Sequence, residues 1–83
     1  MRLDKFLKVS RLVKRRTVAK QMCEEGLIAL NGRVARASAA VRPGDVIRII
    51  YGTRAIEVEV VKIPENIPAR EAASLYRLLS GGS

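Results

Sequence analysis

Eighty-three residues carry sixteen Lys and Arg against eight Asp and Glu, with no His and one Cys, for a formal net charge of +8. A chain of this size forms one domain with a modest core, and regular apolar spacing at 48% hydrophobic content argues against disorder. One Cys without His excludes an internal disulfide and a recognisable zinc set, so no metal or cofactor is expected, while short apolar runs and a start unlike a signal peptide predict a cytoplasmic protein that makes no membrane contact.

Leu3, Phe6, Leu7 and Ser10 follow the i, i+3, i+4, i+7 spacing. This predicts a helix over 3–10 that buries Leu3, Phe6 and Leu7 while Arg2, Lys5 and Lys8 step around the other side. Asp4 falls in the first turn, where it suits the helix dipole and lies four residues from Lys8. The cluster Lys14-Arg15-Arg16 then makes a basic connection. Thr17 is the expected N-cap of a second helix, with Val18, Ala19, Met22 and Cys23 on one apolar arc and Gly26 as its stop.

Leu27 to Leu30, Asn31-Gly32 and Arg33 to Arg36 read as a tight hairpin, because Asn-Gly supplies the positive φ angles of a type I′ turn. Pro43-Gly44-Asp45 marks a second turn, followed by a strand from Val46 to Ile50. After a bend at Gly52, Ile56, Val58 and Val60 alternate with Glu57 and Glu59, the pattern of a strand buried on one face. Pro64 and Pro68 break that pattern, and the spacing of Ala72, Leu75, Tyr76 and Leu79 predicts a closing helix from Arg70 to Leu79. The expected fold class is α+β: two N-terminal helices packed on a small, mostly antiparallel sheet, with a C-terminal helix. Residues 1–62 form the helix-and-sheet unit, 63–79 a helical extension and 80–83 a flexible tail.

Half of all the cations fall in the first twenty residues, against the single acid Asp4. A local excess of plus seven builds a positive potential that favours a polyanion, with counterions released on binding. The N–H groups opening the second helix point toward Lys14-Arg15-Arg16. A phosphate there would meet a helix dipole, backbone donors and guanidinium forks together. Ser10 and Thr17 offer hydroxyl donors to phosphate or ribose oxygens, contacts that position without reading sequence. The candidate RNA-binding residues are therefore Arg2, Lys5, Lys8, Ser10, Arg11, Lys14, Arg15, Arg16, Thr17 and Lys20, with Arg33 a secondary contact at the hairpin. No catalytic residue is expected.

The run Arg2-Leu3-Asp4-Lys5-Phe6-Leu7, then Ser10-Arg11, Arg16-Thr17, Ala19, Gly26, Asn31-Gly32 and Gly44-Asp45, resembles the S4 (αL) RNA-binding domain over about residues 1–50. That resemblance implies two helices on a small sheet, with structured RNA gripped by the helical face and adjoining loop. With its closing Glu71-Ala72-Ala73-Ser74-Leu75-Tyr76, the chain is similar to the RqcP (YabO-like) family of bacterial ribosome-associated quality control. The resemblance implies a monomer that binds the large subunit of a split, stalled ribosome, touching ribosomal RNA and peptidyl-tRNA beside the RqcH-type factor that adds alanine tails. It carries RNA contact onto Arg2, Lys5, Ser10, Arg11, Arg16 and Thr17. A related small heat-shock protein of the same fold, which binds obstructed large subunits, has a longer basic C-terminal extension that is not present here.

Plainer readings stand beside these. Lys8, Lys14 and Lys20 also fit ordinary surface lysines, and Ser10 and Thr17 also fit helix caps. Cys23, on an apolar arc with no His to activate it, reads as a small buried hydrophobe rather than a nucleophile. Glu57 and Glu59 read as a solvated strand face, and Tyr51 and Tyr76 are too scattered for a base-stacking platform. Arg2-Leu3-Asp4 is also similar to the tripeptide around the catalytic aspartate of pseudouridine synthases, yet no catalytic domain follows it. Finally, the first helix is basic and amphipathic enough to suggest a membrane surface, but it is short.

Overall fold

Leu3, Phe6 and Leu7 lie on one side of helix α1 (Leu3–Val9) and are wholly buried, as their spacing predicts. The computed structural model describes residues 1–63 and 69–81. Ser10 caps α1, and Arg11 follows in the left-handed region at φ 65°, its N–H donating back to the Lys8 carbonyl at 3.1 Å. Glycine is the usual residue at such a helix end. Here an arginine holds it.

Helix α2 runs from Arg16 to Glu24, two residues earlier than expected. Its N-cap is Arg15, with no side-chain cap, so Thr17 sits inside the first turn rather than before it. Ala19 and Cys23 are buried and Met22 half-buried, but Val18 points to solvent, so the apolar arc is narrower than predicted. Gly26 ends the helix at φ 75°. Its N–H donates to the Cys23 carbonyl and that of Leu27 to Met22, the paired bonds of a Schellman motif.

Among the described residues five strands follow: β1 (Ile28–Leu30), β2 (Arg33–Val34), β3 (Val46–Tyr51), β4 (Arg54–Val60) and β5 (Tyr76–Gly81). They form one sheet, β2-β1-β3-β4-β5, in which every pairing is antiparallel. Asn31 and Gly32 take φ of 52° and 84°, as the β1–β2 turn requires. Register sets Ile28 opposite Ile49 and Ile47 opposite Val58. These side chains, with Val60, make the buried face on which α1 and α2 pack.

Asn31 does more than turn the chain. Its carbonyl oxygen accepts the Val46 N–H at 2.9 Å and its amide donates to Asp45 at 3.1 Å, while Asp45 accepts the Arg42 N–H at 2.9 Å. The turn Arg42-Pro43-Gly44-Asp45, with Gly44 at φ 94°, is thus locked to the hairpin tip. The spaced signals Asn31-Gly32 and Gly44-Asp45 therefore belong to one unit.

The chain's end departs from expectation. Ala69–Leu75 is a 3₁₀-helix, and Tyr76–Gly81 is an edge strand on β4, not the second half of a helix. Ala72 and Leu75 are buried, and their three-residue spacing suits a 3₁₀ turn as well as an α-helix. Beyond Leu75 the pull of an unpaired β4 edge overrides the weak helical period, with a register shift at Glu57/Val58. Over 69–79 the expected helical extension, given above as 63–79, is therefore replaced by a 3₁₀ turn and a strand, and residues 64–68 lie outside the described residues. Ser80 and Gly81, assigned above to a flexible tail, are part of β5, while Pro64, Pro68 and residues 82–83 lie outside the described residues.

Candidate nucleic-acid interface

Helix α1 begins on a prepared seat. The N–H groups of Leu3 and Asp4 donate to the carbonyls of Ala39 and Ala37 at 2.8 and 3.1 Å, and Val41 donates to the Met1 carbonyl at 2.9 Å. Orphan donors of the first turn are thereby satisfied by the loop before β3. Asp4 itself is buried, at 3% exposure. Its carboxylate accepts the Lys5 N–H at 2.8 Å and pairs with Arg2 and Arg16, each at 3.3 Å. Burial pushes the Asp4 carboxyl up, but the Arg16 hydrogen bond, the Lys5 N–H and the charges of Arg16 and Arg2 outweigh it and hold the group below its ordinary range. Lys8, the partner suggested by sequence spacing, is not used. Helices α1 and α2 are pinned together by an acid that solvent hardly sees.

The only acid among the first twenty residues is thus inside, and the cations around it are outside. Arg2, Lys5, Lys8, Arg11, Lys14, Arg15, Arg16, Thr17, Lys20 and Arg33 are all exposed. Ser10 is not: it is 1% exposed, and its hydroxyl donates to the Leu7 carbonyl at 3.2 Å. Its place at i+7 on the apolar stripe carries it inward, so it closes the helix end instead of reaching a partner. Arg2 and Arg16 meet at Asp4, fourteen positions apart in sequence. Arg2 also joins Lys20 and Arg36 around a cleft between α2 and the segment after β2.

The basic connection between the helices is anchored from beneath. Val13 is buried and its N–H donates to the Leu7 carbonyl at 3.0 Å, while the Tyr51 hydroxyl donates to the Leu12 carbonyl. With Leu12 and Val13 held, Lys14 and Arg15 face outward. Sequence reading found the cations but missed Tyr51, whose contact spans 39 positions and leaves no local signal. It also left Arg36 at the end of the hairpin and outside the candidate contacts, because nothing in the sequence shows that this residue shares a cleft with Arg2.

Acids gather elsewhere. Glu57 and Glu59 lie on β4, where Ser80 donates to Glu57 and Arg77 pairs with Glu59. They are half-buried because β5 lies alongside. Cys23 sits in the core, and burial, followed by the charges of Asp4 and Glu24, pushes its thiol up, away from a reactive thiolate. Among the described residues no three His, Cys, Asp or Glu gather into a metal-holding group, and no helix is long and apolar enough to cross a membrane.

Exposed cations on two pinned helices above a small antiparallel sheet define a polyanion-binding module. Comparison with known proteins agrees. Residues 1–47 match the S4 domain model. The RQC P-site tRNA stabilizing factor of Halalkalibacterium halodurans is 50% identical over 94% of this chain and 89% of its own length, and that of Bacillus subtilis 47% over 95% and 92%. Among solved structures, the trimeric Heat Shock Protein 15 of Vibrio cholerae matches at a TM-score of 0.87 and 34% identity, covering 96% of this chain and 82% of the other. The chain therefore belongs to the S4-domain family, in the branch of the RQC P-site tRNA stabilizing factors, or RqcP proteins.

Proposed function

We propose that this protein is a non-catalytic clamp that binds RNA on the large ribosomal subunit, ribosomal RNA and peptidyl-tRNA together, in quality control of stalled nascent chains. It works in the cytoplasm, beside an RqcH-type factor, and supports C-terminal alanine tailing. The observation that carries this reading is the charge layout: the first twenty residues present their cations while the one acid among them is buried and paired. The contact residues are Arg2, Lys5, Lys8, Arg11, Lys14, Arg15, Arg16, Thr17, Lys20 and Arg33. It acts as a monomer. The opening of α2 adds backbone donors that no side chain caps, beside Arg15 and Arg16.

Such a clamp holds RNA geometry through phosphates and shape while other factors perform the chemistry. The test is a titration of purified large subunits at several salt concentrations. Neutralising about six phosphates gives a slope of roughly −4 to −5 for log affinity against log salt. Binding that barely responds to salt would overturn the reading.

The structural likeness to Heat Shock Protein 15 favours one alternative, a recycling factor for obstructed large subunits. Loss of alanine tails in cells lacking the protein supports the first reading. Intact tailing with accumulated obstructed subunits supports the second.

A further inference from the structure

The cleft at Arg2, Lys20 and Arg36 is not needed for a purely phosphate-gripping surface, and its lining is of a different kind. It is an open cleft of about 590 Å³ between α2 and the segment following β2. Its apolar wall comes from Cys23, Val34, Ala35 and Ala37, of which Val34 is 68% exposed and so open to a partner. Three cations stand around it, together with one carboxylate, Glu24, which makes no ion pair among the described residues.

We propose that this cleft receives one unstacked nucleotide of the bound RNA. This deepens the function proposed above and rests on it. The base lies against Val34, Ala35 and Ala37, its phosphates meet Arg2, Lys20 and Arg36, and Glu24 accepts hydrogen bonds from the Watson–Crick edge. Unstacked bases are recognised by contact on the ring face, from aromatic rings or Arg guanidinium planes, together with hydrogen bonds on the edge, and here Arg2 and Arg36 are the planar groups at hand. The size suits a nucleotide, since small-molecule clefts span about 300–1,000 Å³. A carboxylate accepts but does not donate, which selects bases with adjacent N–H donors. Guanine offers its ring N–H and exocyclic amine side by side, whereas uracil offers a single N–H between two carbonyls. An acidic peptide fits less well, because its carboxylates accept but do not donate and would leave Glu24 without a partner. Arg2 also pairs with Asp4, beside Arg16, so the cleft is continuous with the proposed RNA surface.

The experiment is a titration of the isotope-labelled full chain with GMP, UMP and ribose 5-phosphate, followed by backbone NMR shifts. Saturable shifts at Cys23, Val34, Ala35 and Ala37 with GMP, weaker with UMP, are expected. Glu24→Gln should cut the preference for GMP over UMP roughly tenfold, as loss of one paired edge contact does. Glu25→Gln removes the same charge one residue away, outside the cleft lining, and should leave that preference unchanged. Equal shifts with all three ligands, or shifts confined to Lys5, Lys8 and Lys14, would overturn the inference and leave an anion site only. Retention of large subunits is measured on the same samples. Retention without cleft shifts defeats this inference alone; cleft shifts without retention defeat the clamp and leave a nucleotide site.

Discussion

Asp4 shows how one residue organises a binding face without touching the partner. Buried, bonded to the Lys5 N–H and paired with Arg2 and Arg16, it fastens the two helices while removing negative charge from their surface. Its carboxyl is held below the usual range in the folded state, so it contributes stability above the ordinary carboxylate pKa, and that contribution is lost as pH falls toward the folded value. Asp4→Asn should lower stability at neutral pH by about 1–3 kcal/mol and flatten the acid limb of stability against pH, measured by denaturant unfolding. An unchanged limb would mean that the pairing contributes nothing. Arg15 and Arg16 then separate binding from folding. Arg15→Ala should weaken large-subunit binding by about 1.5–3 kcal/mol with stability intact, whereas Arg16→Ala should lose both, since it strips a partner from a buried carboxylate. Equal stability of the two variants would contradict that division.

At the scale of elements, the sequence made the helices and central strands legible because each carries its own period. Leu3, Phe6 and Leu7 repeat at helical spacing, Val58 and Val60 alternate, and Asn31-Gly32 accepts only one kind of turn. The C-terminal strand was hidden for the opposite reason. Tyr76 to Gly81 lacks a strong alternation and pairs with β4 because that edge is open, which is a property of the sheet and not of the segment. The capping role of Thr17 failed similarly, since Arg15 takes the cap position with no side-chain bond at all. In the site, the cations were readable as composition, whereas the burial of Ser10 and the grouping of Arg2 with Arg36 depend on packing. Leu75 is the test of the closing segment. It is fully buried, and its carbonyl accepts the Val61 N–H at 2.7 Å, tying the 3₁₀ turn to the end of β4. Leu75→Ala should cost about 2–5 kcal/mol in thermal or denaturant unfolding. A cost near zero would show that this segment does not belong to the core.

On the scale of the whole molecule, positive charge is gathered at the N-terminal helices and their connection. The first twenty residues turn their cations outward over one buried acid, Glu24 and Glu25 stand exposed at the far end of α2, and Glu57 and Glu59 on the sheet are met by Ser80 and Arg77 of the added strand. Such sorting steers a polyanion to one side of a molecule too small to enclose it, and the anchored Leu12–Val13 segment keeps the central cations in place during the encounter. The most direct measurement is gradient sedimentation of a lysate from cells with stalled translation, comparing wild type with a variant carrying Arg15→Glu and Lys14→Glu. Wild type should travel with free large subunits bearing peptidyl-tRNA, and the charge-reversed protein should stay at the top of the gradient. Equal travel of both proteins, or association with small subunits instead, would contradict the account.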